Sequence, residues 1–158
     1  MSFNSHNLQQ FIAAHAIDAA IVHLDEGTPT VASAAAALGV TPRQIIKSVL
    51  FLADGAPLLV ITNGLTRIHR KRLADVLGIS RRRVKIADAA QVQAITGYPV
   101  GAVPPFGHPQ ALRTLLDVGV LDETAVYGGG GEINALLHVT PGPLQRVTQA
   151  QLVDIADR

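Results

Sequence analysis

The sequence predicts a mixed α/β fold of the α+β kind, a single domain over residues 1–158 in which a curled mixed β-sheet is covered by helices. Three observations predict it. Short apolar runs bounded by turn residues intermix with capped helical stretches, without the strict strand–helix–strand order of a parallel sheet. Hydrophobic residues make up 48% and charged residues 16% of the chain, which suits a compact core and not a disordered segment. No internal repeat, low-complexity tract or linker divides the sequence.

The elements follow in order. Asn4 or Ser5 caps a first helix whose Leu8, Phe11, Ile12 and His15 share one face. Residues 19–24 read as a strand and 25–30 as the turn after it. Residues 31–39 form a helix that stops at Gly39, and Thr41-Pro42 restarts a helix through RQIIK. The apolar runs 48–53 and 57–62 flank Asp54-Gly55-Ala56 and pair as a hairpin. A basic amphipathic helix spans 69–78, a strand 83–87, and a helix capped by Asp88 spans 88–97. Residues 97–109 hold too many prolines and glycines for any regular element. Strands follow at 111–117, 125–128 and 134–139, and a helix over 148–156 closes the chain.

Composition excludes several kinds of chemistry. The chain has no cysteine, so disulfides, thiol catalysis and Cys-ligated zinc are out. Six histidines show no metal-ligand spacing, and neither a metal nor a cofactor is expected. There is no phosphate-binding glycine-rich lysine motif, no G-x-S-x-G elbow and no H-E-x-x-H. No membrane-length apolar run and no secretory signal is apparent, so a cytoplasmic setting is expected. The net charge is only +1, yet Arg67, Arg70, Lys71, Arg72, Arg81, Arg82, Arg83 and Lys85 crowd one stretch. That stretch is either a positive field for phosphates or a solvated helix face and turn.

Three segments remain as candidates for a site. Gly101-Ala102-Val103-Pro104-Pro105, extended by Phe106 and His108, can aim backbone amides at a carbonyl oxygen, or can simply be a rigid turn. Lys47 sits at the expected helix-to-strand boundary among apolar neighbours, presenting a cation to a pocket or snorkelling to water. Gly128 to Gly131 with Asn134 suggests close approach of backbone to a ligand, or a flexible loop.

Taken together, the blocks TVASAAAALGVTPRQIIKSVLF (30–51), PLLVITNG (57–64), RKRLADVLG (70–78), TGYPVGAVPPFGHP (96–109), LLD (115–117) and VYGGGGEINALLHVTP (126–141) resemble the YbaK family. That family includes stand-alone relatives of the editing domain of bacterial prolyl-tRNA synthetase. The resemblance covers nearly the whole chain, and the order of the blocks is more specific than any one of them.

It implies the YbaK-type fold and hydrolysis of the ester joining a wrong amino acid to tRNA, with Ala- or Cys-tRNA-Pro as the expected substrate. A synthetase pocket rejects a near-isosteric amino acid by only about 1–3 kcal/mol, so a second site clears the errors. By resemblance, Lys47 is the functional lysine, and Gly101 and Pro105 end the loop whose backbone holds the substrate carbonyl and places water. A ribose hydroxyl of the terminal adenosine helps orient that water, so no side-chain base is required. Ala102, Val103, Pro104, Phe106, His108, Gly130, Gly131 and Asn134 are expected around the substrate, with His138 an alternative to Asn134. The implied partners are the 3′ acceptor end of tRNA, met by the 67–85 basic cluster, and a synthetase such as prolyl-tRNA synthetase. Two other readings stay open: a non-catalytic module that binds tRNA or a synthetase, and a hydrolase of another small ester.

Overall fold

The structure, a computed structural model, describes residues 2–157. Its helices begin where the sequence places caps. Helix α1 (Ser5–Ala14) starts at Asn4, whose side chain accepts from the His6 N–H while Asn7 caps the Asn4 N–H in return. Helix α2 (Val31–Leu38) uses Thr30 and Ser33 in the same reciprocal way, and α4 (Ala89–Thr96) uses Asp88 and Gln91. Helix α3 (Arg70–Leu77) is capped by a histidine: His69 Nδ1 accepts from the Arg72 N–H at 3.2 Å.

A five-stranded sheet runs in the order β5 (Val84–Ile86), β2 (Ile46–Ala53), β3 (Ala56–Asn63), β6 (Arg113–Asp117), β9 (Gln151–Val153). Its first three strands are antiparallel and its last three parallel, so the sheet is mixed. A second, antiparallel sheet has the order β1 (Ala19–His23), β8 (Ala135–Val139), β7 (Val126–Gly129). Strand β7 runs beside the start of β2, joined by a bridge between Ile45 and Tyr127, and this curls the two sheets towards each other. Strands β4 (Arg67–Ile68) and β10 (Ala156–Asp157) make a small separate ladder.

The hydrophobic core fills both sides of the large sheet. Leu8 and Ile12 of α1, Ile46, Ile61, Leu116, Leu137 and Leu144 pack between the two sheets. Leu73 and Ala74 of α3 cover Phe51, Leu58, Val60 and Leu115 on the opposite face. Helix α2 lies on the outer face of the small sheet, through Ala34, Ala35 and Leu136. Side chains alternate across a strand, so Ile46, Ser48 and Leu50 face one side of β2 and Lys47, Val49 and Phe51 the other.

Two expected helices are absent. The RQIIK segment is one 3-10 turn, Pro42–Gln44, closed by the Ile45 N–H on the Pro42 carbonyl; Ile46 and Lys47 already belong to β2. The β-branched pair Ile45-Ile46 suits the ladder with β3, which begins at Ile46 opposite Asn63. At the C-terminus the helix comes earlier, as α5 (Pro141–Thr148), with Pro141 at its first position. Residues 148–156 are largely extended. Val153 and Ile155 are buried while Leu152 and Asp154 are exposed, and this period of two is a strand's. Parallel pairing with β6, and an Ile155 N–H bond to Asp117 Oδ1 at 3.1 Å, decide against a helix there.

Candidate active site: a cleft at the open edge of β2

Strand β5 pairs with only the second half of β2, opposite Phe51 to Ala53, and its last bond is Ala87 N–H to the Leu50 carbonyl at 3.0 Å. Between that bond and the Ile45–Tyr127 bridge to β7, the stretch Lys47 to Val49 of β2 therefore has an open edge on that side. Backbone groups of alternate residues point the same way in an antiparallel ladder, so the Ser48 amide and carbonyl face the opening as those of Leu50 face β5. A cleft of about 280 Å³ lies along this edge. Its walls come from Thr28 to Val31 and Ala34, from Ile46 to Leu50, from Ile86, Ala87 and Val92, from Val100, Gly101 and Val103, and from Gly128, Gly129 and Leu136.

The lining is mainly apolar and contains no histidine, aspartate or glutamate. Among the described residues Lys47 is its one charged member. Ser48 Oγ is buried and has no hydrogen-bond partner among the described residues. Across from them stands Gly101, with φ +88° and nothing within 4 Å of where a Cβ would sit. This left-handed backbone favours glycine, and the bare Cα leaves its amide approachable. Among the described residues no backbone acceptor outside the regular elements takes the Gly101 N–H.

The loop carrying Gly101 is clamped from below. Tyr98, fully buried, donates its hydroxyl to the Gly107 carbonyl at 2.8 Å. His108 Nε2 lies 2.8 Å from the Pro104 carbonyl, and since a carbonyl only accepts, Nε2 carries the proton. Burial pushes the His108 pKa below its ordinary value, against a smaller opposing effect of that bond. Burial likewise pushes the Tyr98 hydroxyl well above its usual range. Phe106 stacks on Phe11 of α1, with ring centroids 5.8 Å apart. Prolines, rings and two carbonyl clamps thus hold Gly101 to Val103 as a fixed wall.

The residues expected around the site separate into two groups. Lys47, Gly101 and Val103 line the cleft together. Ala102, Pro104, Pro105 and Phe106 are buried behind it, and His108 serves the loop. Of the glycine run, Gly128 and Gly129 reach the cleft; Gly130 and Gly131 pack on Ala135 and on Asn4-Ser5. Asn134 donates to the Leu24 carbonyl at 3.3 Å, tying the hairpin to the end of β1. The His138 ring lies against Tyr127, with centroids 4.9 Å apart, away from the lining. Sequence reasoning weighs Ser48 only as a nucleophile, setting it aside for want of a nearby histidine, and does not reach Val100 or the Thr28–Ala34 wall; a valine beside Gly101 is the available signal.

The basic stretch is divided by its contacts. Arg72 donates to the Ala156 carbonyl at 2.8 Å, Arg83 pairs with Asp54 at 3.6 Å, and Arg67 stands opposite Asp157 in the small ladder. Arg70 lies over the Phe51 ring, and Arg81, Arg82 and Lys71 are exposed. Among the described residues no cluster of three or more His, Asp or Glu is placed to hold a metal, and no helix is long and apolar enough to cross a membrane.

Comparison with known proteins places this geometry in context. The aminoacyl-tRNA editing domain family matches residues 25–147. A proline–tRNA ligase of Desulfovibrio desulfuricans is 36% identical over 103 residues, covering 65% of this chain. The matched region spans only 16% of that ligase's length. A crystal structure of a candidate trans-editing enzyme for prolyl tRNA synthetase superposes with a TM-score of 0.89 at 28% identity, covering 98% of this chain and 97% of that one. The crystal structure of a hypothetical protein gives 0.88 at 34% identity, covering 96% and 99%.

Proposed function

The chain belongs to the family of aminoacyl-tRNA editing domains, and from that premise we propose that it is a trans-editing deacylase that hydrolyses the ester of a mischarged tRNA, Ala- or Cys-tRNA-Pro. The observation that carries the reading is the pairing of Lys47 with the open Gly101 backbone across one cleft whose described lining holds no histidine, aspartate or glutamate. Such a site suits a reaction driven by positioning and by backbone dipoles. It does not suit one driven by a nucleophile or a metal.

In this reading the aminoacyl group enters the cleft and its ester carbonyl turns towards the Gly101 amide. Water adds to the carbonyl carbon, and the oxyanion that develops is held by that amide, which is fixed in advance by the clamped loop. The carbon–oxygen bond to the ribose then breaks. The free amino acid leaves, and the ribose oxygen takes the proton that water gives up. A ribose hydroxyl next to the ester orients the water, and Lys47 anchors the adenosine end or its phosphate. Ser48, a cleft residue whose hydroxyl has no partner among the described residues, meets the amino group of the substrate. The apolar walls of Ile46, Val103, Gly128 and Leu136 fit a small uncharged side chain.

The test is release of amino acid from Ala-tRNA-Pro and Cys-tRNA-Pro. Wild type should raise the rate well above spontaneous hydrolysis, and Lys47→Ala should lose most of that gain. Equal background rates for both would end the enzyme reading for these substrates and leave a binding module.

A further inference from the structure

The family-matched segment, residues 25–147, begins after α1, yet the loop that carries Gly101 is seated on that helix and its lead-in. Three contacts make the seat, and none of Phe3, Asn4, Ser5, Leu8 and Phe11 lines the cleft. At the start of the loop the Phe3 N–H donates to the Gly97 carbonyl at 2.7 Å, and the Phe3 ring stands edge-on to Tyr98. In the middle, Gly131 is pinched between Ala102 and the beginning of α1. Its N–H donates to the Ala102 carbonyl at 2.9 Å, while a Cβ on it would lie 2.8 Å from the Asn4 carbonyl carbon and the Ser5 nitrogen. Further along, a Cβ on Gly107 would come within 2.9 Å of Leu8 Cδ1, and the Phe106 ring stacks on that of Phe11, 27° from parallel.

Gly101 stands between the first and second of these contacts. It is the third residue of a turn closed by the Ala102 N–H on the Pro99 carbonyl at 3.1 Å. A φ of +88° at that place, after a Val100 without positive φ, is that of a type II turn. The peptide that carries the Gly101 N–H is the middle one of this turn, so its direction follows the two ends. Ala102 is one end, and Gly131 ties it to α1. Between Ala102 and Phe106 the chain has little freedom to absorb a displacement. Pro104 and Pro105 have fixed φ, and His108 donates to the Pro104 carbonyl. A shift of Phe106 is therefore passed back towards Gly101.

We propose that Phe11 of α1 is a positioning residue for the reaction, setting the direction of the Gly101 amide through Phe106. The assignment rests on the deacylase reading for the reaction concerned, and it adds a residue that touches no substrate. Leu8 is fully buried in the core between the sheets, so a change there would unpack the fold as a whole. Phe11 is only partly buried, and removing its ring costs the fold less.

The experiment pairs single-turnover deacylation of Ala-tRNA-Pro with hydrogen exchange of the Gly131 amide, read by NMR relative to the Val60 amide in β3. Phe11→Ala removes the ring and its bulk, and Phe11→Leu, the milder change, removes the ring and keeps an apolar side chain. Each should lower the maximal rate by about tenfold or more, while the enzyme concentration for half-maximal rate changes by less than about twofold. Each should also raise the Gly131-to-Val60 exchange ratio by about tenfold, because the seat loosens locally. The control is Leu73→Ala, fully buried on the opposite face of the large sheet. It destabilises the whole fold, so it should leave the maximal rate as in wild type and should not raise the ratio. Thermal melts verify that each variant is folded at the assay temperature. A wild-type rate in either folded Phe11 variant overturns the proposal, as does a lowered rate without a raised exchange ratio. A wild type that releases no amino acid sinks the enzyme reading, and the exchange ratio then decides by itself whether Phe11 holds the loop.

Discussion

Gly101 and Gly129 act on the cleft for different reasons, and the difference is measurable. At Gly101 a Cβ meets open space but the backbone is left-handed, so Gly101→Ala should cost about 1 kcal/mol of stability from φ alone. If its amide holds the oxyanion, displacing it should lower kcat by about 10²–10³-fold, read by single-turnover deacylation. At Gly129 the backbone angle is ordinary, but an added Cβ would land on the Val103 carbonyl and the Ala102 carbonyl carbon. Gly129→Ala must therefore move the wall, with losses in both stability and activity. His108 gives a pH signature. Its folded pKa lies below the ordinary 6.5, so the unfolded chain takes up the proton first as pH falls. Its contribution to stability is complete above that ordinary value and is lost as pH drops from there through the folded pKa. His108→Gln keeps a donor for Pro104 and removes the titration, so thermal melts should show a flatter acid side than wild type.

Among the elements, β2 carries most of the site, and its open stretch lies between the bridge to β7 at Ile45 and the reach of the short β5. Residues 83–87 were expected as a strand, and its length was near the truth, but only the ladder shows where along β2 it stops. Strand β6 and the C-terminal segment depend on Asp117, which is fully buried and accepts from the N–H groups of Gly119 and Ile155. Asp117→Ala strips both amides of that acceptor and should destabilise the fold by about 1–3 kcal/mol or more, seen as a lower urea midpoint with an unchanged m-value. A matching check on the core is Leu59→Ala, at a fully buried position in β3, with an expected loss of about 2–5 kcal/mol. The C-terminal helix failed as an expectation because its residues fit two periods. A helical face and a strand's alternation can both be drawn through TQAQLVDIA, and the free edge of β6 selected the second.

At the scale of the whole molecule, a chain of net charge +1 carries its basic residues unevenly, on α3, the turn at 81–83 and β5. If these meet phosphates, tRNA affinity should fall steeply with salt, and Arg81→Gln with Arg82→Gln should weaken all tRNAs alike while lowering the slope by about two. The sequence alone determined the mixed fold class, four of the five helices' neighbourhoods, the rigid 97–109 loop and the family. Each of these is written in local signals: caps, apolar periods, and the order of glycine- and proline-marked blocks. Tertiary structure alone decided that Lys47 belongs to a strand and meets Gly101 across one cleft, from positions 54 residues apart in the chain. It also decided that Gly128 and Gly129 line this cleft while Gly130 and Gly131 pack on Ala135 and on Asn4-Ser5. The physical reason is the same in each case. Which side of a strand is left unpaired, and which glycine a neighbouring backbone presses against, depends on partners distant in sequence, and no local pattern encodes them.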